Sequence, residues 1–271
     1  MNKTILITGA SSGIGKATAK HFCAQGWNVV ATMRNPDREK ELSALENTLV
    51  TRLDVLDKES IDQAMTRGIE RFGRIDALLN NAGYGAYGPL EAFDMDRIRR
   101  QFDTNVIGLL AVTKAVLPHM RSHRSGTIVN ISSIGGKMAF PLGALYHGTK
   151  FAVEGLSEAL YYELEAIGVK MKIVEPGLIH TDFGGRSFDF RNDESIVEYQ
   201  PTVQHLFSAF GFMARQASAP ELVADVIFGA VTDGTKQLRY TAGEDARQFI
   251  ANRKSQDDDT FIGGLKAQMG L

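Results

Sequence analysis

Tyr146 and Lys150 lie four residues apart in the run Tyr146-His147-Gly148-Thr149-Lys150. On a helix that spacing puts both side chains on one face, where they can act on the same small volume. A free phenol, with a pKa of about 10, is a poor acid–base catalyst at neutral pH. A nearby ammonium favours the phenolate, and a drop of roughly two to three units would correspond to about 3–4 kcal/mol. The pair therefore points to proton transfer at an oxygen. As a bare pattern it is weak, because such pairs arise by chance on amphipathic helices, so its weight depends on what accompanies it.

Near the start of the chain stands Thr8-Gly9-Ala10-Ser11-Ser12-Gly13-Ile14-Gly15, directly after an apolar run and before a helical pattern. Gly9, Gly13 and Gly15 allow a sharp turn and close approach to a pyrophosphate, and the following helix start offers free N–H groups to an anion. Gly9, Ser11, Ser12, Gly13, Ile14 and Gly15 are the expected cofactor contacts. The same residues also spell the G-x-S-x-G elbow of serine hydrolases, with Ser11 as nucleophile. That elbow normally sits well into a chain, so the hydrolase is the weaker alternative. At the end of the second apolar run, Met33 stands where a carboxylate would grip a ribose 2′-hydroxyl, and Arg34 follows it. A planar cation there suits a 2′-phosphate, so NADP(H) is preferred, while the proximity of Asp37 leaves NAD(H) possible.

These residues need a scaffold. Runs 4–8, 28–32, 49–53, 77–80, 127–131 and 169–174 read as buried strands, lacking strict alternation because both faces are covered. Between them lie helical stretches such as Ile98, Phe102, Val106 and Leu109, or Ala152, Leu156, Leu160 and Leu164. Alternation of this kind predicts an α/β fold of Rossmann type, a doubly wound parallel sheet of about seven strands with helices on both faces. Its ligands bind at the carboxyl ends of the strands. No linker divides the 271 residues, which read as one domain. The periodicity lapses over 178–215, where seven aromatic residues predict a lid over a binding site in preference to packing on a subunit neighbour, and 243–271 reads as an extension with a solvated turn at Asp257-Asp258-Asp259 and a docked or frayed tail.

Thirty-two acidic against 30 basic residues give a net charge of −2, which argues against a nucleic-acid partner. No apolar stretch is long enough to span a membrane, and no signal peptide is legible, so a cytoplasmic location is expected. The lone Cys23 reads as a small core residue and fits a reducing compartment. His119 and His123 stand four apart without an intervening H-E-x-x-H carboxylate, so no metal is expected.

In their order along the chain, Thr8 to Gly15, Asn80-Asn81-Ala82-Gly83, Asn105, Ser132-Ser133, Tyr146 with Lys150, and Pro176-Gly177 with Thr181 resemble the short-chain dehydrogenase/reductase family. The resemblance runs from Lys3 to about Tyr240. It implies that Tyr146 is the general acid or base, that Ser133 holds and polarises the substrate oxygen, and that Lys150 lowers the tyrosine pKa and meets the nicotinamide ribose. Asn105 would hold a water linking Lys150 to solvent. Asp54 would meet the adenine amine, Asn81, Ala82 and Gly83 would border its ribose, and Pro176, Gly177 and Thr181 would frame the nicotinamide. Asn105 could instead brace the fourth strand, Asp54 could cap the next helix, and a register error of one would exchange Ser132 for Ser133.

His147 and Gly148-Thr149 depart from the small residues the family often carries there. Within the family, 31–34, 150–155 and 238–240 look like the hydroxysteroid and retinol dehydrogenase branch. The resemblance thus implies hydride transfer between NADP(H) and a carbonyl or secondary alcohol. Tyr84, Met138, Phe140, Leu142 and Phe183 would line an apolar substrate site with Ser133 and Tyr146. The rival is a regulatory protein that binds NADP(H) without turnover, and such proteins typically lose the tyrosine or lysine. Helices over 94–118 and 150–168 carry more apolar surface than one sheet face covers, and the family implies pairing into a homodimer or homotetramer.

Overall fold

The computed structural model describes the chain except residues 1, 182–184, 186 and 214–216, and gives only the backbone at 212 and 213. Phe183 therefore lies outside the described residues. The strands are β1 (Thr4–Ile7), β2 (Asn28–Met33), β3 (Thr48–Arg52), β4 (Ala77–Asn80), β5 (Gly85–Tyr87), β6 (Gly126–Ile131), β7 (Val169–Pro176), β8 (Phe188–Phe190) and β9 (Arg239–Ala242). The helices are α1 (Gly13–Ala24), α2 (Lys58–Phe72), α3 (Met95–Phe102), α4 (Gly108–His123), α5 (Ala144–Glu165), α6 (Gln200–Met213), α7 (Pro220–Thr232), α8 (Glu244–Ser255) and α9 (Asp258–Met269).

Seven strands form one parallel sheet in the order β3-β2-β1-β4-β6-β7-β9. Successive residues of β1 serve opposite faces: Ile5 and Ile7 join Phe22 of α1 and Ile227 of α7, whereas Leu6 joins Ile61 of α2 and Val116 of α4. Burial on both faces is why the strands show continuous apolar runs rather than alternation. The chain moves outward from β1 through β2 to β3, then returns to place β4 on the other side of β1. At that reversal the loops after β1 and β4 diverge and open a crevice at the strands' carboxyl ends.

Several elements differ from expectation. A π-helical turn, Asp103–Ile107, interrupts the long helix predicted over 94–118. The 178–215 segment is no plain loop: it contains β8, which pairs with β5, and α6, which buries Val203 and Leu206. The tail is docked, not frayed, and is helical: α8 and α9 pack Ala246, Ile250 and Phe261 against Ile134 and Met138. The acidic knot opens α9, with the Asp257 carboxylate accepting from Thr260 N at 2.8 Å. Carboxylates favour such helix starts because they satisfy free N–H groups and face the positive dipole end. Among the described residues no helix is long and apolar enough to cross a membrane.

Candidate active site

The loop after β1 closes on itself at the crevice. Gly9 and Gly13 adopt φ of +69° and +53°, a region costly for other residues. A Cβ on Gly15 would lie 2.4 Å from the Gly9 carbonyl oxygen and 2.6 Å from Asn81 Nδ2. That Asn81 amide donates to Thr8 O at 3.0 Å and Gly9 O at 3.1 Å, while the Thr8 hydroxyl accepts from Asn81 N and Ala82 N at 2.9 and 3.0 Å. Thr8 is thus a latch between the two loops, a role that its place in the motif did not disclose. Ser12 begins α1 without capping it by its side chain, and the first turn carries no acid, so the helix N-terminus presents amides and positive dipole to the crevice. This cradle fits a pyrophosphate.

Gly15→Ala should destabilise the fold by about 2 kcal/mol, because backbone and not a flexible side chain meets the new methyl. It should also weaken dinucleotide binding at least ~30-fold by opening the cradle. Thermal melts and fluorescence titration with NADPH check both effects.

The loop after β7 reaches the same place. Thr181 carbons lie 3.2 Å from a Cβ built on Gly13, bringing the last motif against the first. Pro176 ends β7, and Asp245 of α8 accepts from Leu178 N at 2.7 Å and leaves no room for a side chain on Gly177. Asp245 was invisible from sequence because it lies 67 residues from its partner.

Tyr146 and Lys150 do share a face of α5. The Tyr146 hydroxyl hydrogen-bonds the Ser133 hydroxyl. Ser133 opens the short 3-10 turn Ile134–Gly136, its Oγ accepting from Gly135 N at 3.0 Å. Ser132 Oγ is buried and finds no partner among the described residues. Lys150 Nζ donates to the Ile131 carbonyl at 2.8 Å and stands 5.7 Å from the Tyr146 ring centre. Asn105, in the π-helical turn, donates to Tyr84 O at 2.8 Å and Thr149 Oγ1 at 3.1 Å and accepts from Tyr84 N at 3.1 Å. Thr149 in turn donates to Tyr146 O at 2.7 Å. Asn105 therefore braces the loop after β4 against α5, with one carbonyl lone pair uncommitted among the described residues.

A family model described as short chain dehydrogenase matches residues 3–192. The chain belongs to the short-chain dehydrogenase family. An uncharacterized oxidoreductase of Schizosaccharomyces pombe is 46% identical over 239 residues, covering 88% of this chain and all of that one. A 3-ketodihydrosphingosine reductase of Bacteroides thetaiotaomicron is 44% identical over 179 residues, 66% of this chain and 65% of that one. The solved structure of ElxO with NADP bound superposes with a TM-score of 0.73 at 30% identity, covering 89% of this chain and 97% of that one.

In this short-chain dehydrogenase the electrostatics run against one expectation. Burial pushes the Tyr146 phenol up to about 12, with the Ser133 bond pulling the other way, and burial brings Lys150 down to about 8 against the attraction of Glu154. The predicted acidification of Tyr146 by Lys150 is overturned in the protein alone. The phenol is enclosed by Tyr87 and His147, with ring centres at 5.5 Å each, and the ammonium is drawn to the Ile131 carbonyl. Desolvation of the would-be phenolate outweighs a cation held at that distance.

The expected substrate residues divide. Tyr84 packs with Ala86, Phe93, Ile98 and Leu145, its hydroxyl buried, and Tyr87 is the ring that faces Tyr146. Met138 is buried against α8 and α9 rather than lining an open site, because the C-terminal helices dock on it. Phe140 remains half-buried beside Phe249, and Leu142 adopts a left-handed φ of +59° with its carbonyl accepting from Gly88 N at 2.8 Å.

Asp54 shapes its own turn, accepting from Leu56 N at 3.1 Å, and Asp57 is the residue that caps α2. Gly83 lies against the Asn105 carbonyl. Arg34 is exposed and forms no ion pair among the described residues. No His or carboxylate among the described residues hydrogen-bonds Ser11. Among them no cluster of His, Cys, Asp and Glu could hold a metal.

Proposed function

We propose that this oxidoreductase moves hydride between NADP(H) and the carbonyl carbon of an apolar ketone, or the corresponding secondary alcohol. The observation that carries the reading is the Tyr146 hydroxyl bonded to Ser133, with Lys150 beneath it, beside the glycine cradle at the strands' carboxyl ends. Ser11, Ser12, Ile14 and the glycines would hold the pyrophosphate, Asp54, Asn81, Ala82 and Gly83 the adenosine half, and Lys150, Pro176, Gly177 and Thr181 the nicotinamide half. When bound, NADPH supplies the hydride. Ser133 holds the substrate oxygen, Tyr146 delivers the proton as the carbonyl π pair collapses onto that oxygen, and Lys150 keeps a positive charge beside the phenol. A phenol held protonated favours the reduction direction at neutral pH. Asn105, with that lone pair, would seat the water that returns the proton.

An apolar substrate is supported by a column of rings over Tyr146. Tyr87 lies 5.4 Å from Phe188 and 5.7 Å from Phe210, and Phe190 lies 4.7 Å from Phe207. The relative named as a 3-ketodihydrosphingosine reductase points the same way. Initial NADPH oxidation rates across ketones graded by size and charge test this reading, which fails if only small charged carbonyls turn over.

For the cofactor, the exposed Arg34, without an ion pair among the described residues, and the NADP bound by ElxO support NADP(H) over NAD(H). Arg34→Ala should lower kcat/KM for NADPH by about 10- to 100-fold, the worth of charge-assisted bonds to a phosphate, and leave NADH nearly unchanged. A wild-type preference for NADH removes this role. Phe102, Ile107 and Phe151, exposed on α3, the π-helical turn and α5, support assembly into a homodimer or homotetramer, which light scattering reads directly. The single free thiol, Cys23, supports a reducing, cytoplasmic setting.

A further inference from the structure

His147, the departure next to the tyrosine, is buried at 3% exposure, and both its ring nitrogens are engaged by one loop. Nδ1 lies 3.0 Å from the Gly135 carbonyl oxygen, and Nε2 accepts from Phe140 N at 3.1 Å. One bond needs an N–H and the other a lone pair, so the pattern selects the neutral ring with its hydrogen on Nδ1. The loop wraps the ring tightly. A Cβ on Gly135 would lie 2.6 Å from Nδ1, and one on Gly143 would lie 2.5 Å from Cδ2 and Nε2. Gly135 is held at both its backbone groups, its carbonyl by His147 and its N–H by Ser133 Oγ, which in turn meets the Tyr146 hydroxyl. A closed ring of contacts runs from His147 through Gly135 and Ser133 to Tyr146, the neighbour of His147 in sequence.

We propose that His147 is a positioning residue, a neutral imidazole clasp that fixes residues 135–140 so that Ser133 is aimed at Tyr146 and Phe140 keeps its place. The proposal rests on the reading above that Ser133 and Tyr146 work on the substrate oxygen. Glutamine, the residue that can offer one donor and one acceptor at similar reach, is the natural substitute; leucine fills the space without either bond. The titratable groups facing the ring are the phenols of Tyr87 and Tyr146, at ring-centre distances of 5.8 and 5.5 Å, and its other ring neighbour is Phe140 at 5.6 Å. No cation or carboxylate among these contacts favours the charged ring, and burial lowers its pKa to about 4 against the pull of the Gly135 bond. Protonation would set a second N–H against the Phe140 N–H and open the clasp.

The test compares wild type, His147→Leu and His147→Gln in single-turnover ketone reduction, with NADPH affinity read separately by fluorescence. In His147→Leu the rate should fall by about 30-fold, the scale of a sub-ångström misplacement, with NADPH affinity within about twofold. His147→Gln should recover most of that loss. Nitrogen-15 NMR of the imidazole should show the Nδ1–H form persisting below pH 5. A leucine variant with wild-type turnover, a parallel loss of binding and turnover, absence of rescue by glutamine, or a ring in the Nε2–H form or titrating near 6.5 overturns the clasp. Tyr146→Phe is run alongside: if it turns over normally, the catalytic reading fails, and the NMR result still decides the clasp.

Discussion

Tyr146→Phe should lower ketone reduction by about 10³-fold while NADPH still binds with near wild-type affinity. Phenylalanine keeps the ring between Tyr87 and His147, so packing is unchanged and only the hydroxyl is lost. Ser133 Oγ retains its bond from Gly135 N, so no buried partner is left wholly unsatisfied. The stability change should stay near ~1 kcal/mol, a shift of a few degrees at most for a chain of this size. What disappears is the proton donor. Because burial holds the phenol at about 12, it is protonated, and so competent as the proton donor, across the neutral range. Alcohol oxidation needs the phenolate, so its rate should climb as pH rises through the alkaline range. Single-turnover absorbance of NADPH and a separate binding titration distinguish loss of chemistry from loss of binding. A variant that keeps a tenth or more of the wild-type rate would remove Tyr146 from the reaction.

Lys150→Met should show the opposite pairing, activity lost by at least ~10²-fold and stability gained. The ammonium is enclosed, and burial brings its pKa from 10.5 to about 8 despite Glu154. Between those values the unfolded chain binds more protons than the native one, so stability rises with pH in that window and the full cost is present below it. A shift of that size corresponds to about 3 kcal/mol, and loss of the bond to the Ile131 carbonyl gives back about 1 kcal/mol. The net gain of ~2 kcal/mol should raise the melting temperature of the free protein by about 4–8 °C at pH 7 and fade towards pH 10. Melts of both proteins across that pH range measure it. A variant destabilised at pH 7 would mean that the ammonium is better solvated than its surroundings indicate.

The gain would also explain why the chain tolerates the lysine: a charge that weakens the fold is kept where its chemistry is needed. The same site carries other costly features, the left-handed Leu142 and a buried Ser132 hydroxyl without a partner among the described residues.

Sequence by itself determined the parallel sheet, the glycine cradle and the Tyr146–Lys150 pair, because each is written in a local code. Burial on both faces leaves apolar runs, a tight turn leaves glycines, and a shared helix face leaves a spacing of four. Tertiary structure decided what crosses between distant segments. β9 is short and carries Arg239, so it left no apolar run, and β8 is three residues long and pairs with β5, about a hundred residues away. The choice of Tyr87 over Tyr84, the hold of Asp245 on the loop after β7, and the burial of Met138 under α8 and α9 are contacts over long loops. Most of all, the protonation of Tyr146 was undecidable from its neighbour in sequence. A lysine one turn away argues for phenolate, and only the enclosure of the ring by Tyr87 and His147, with the ammonium drawn to a backbone carbonyl, reverses it. Desolvation is a property of the volume around a group, and that volume is assembled by chain segments no local pattern brings together.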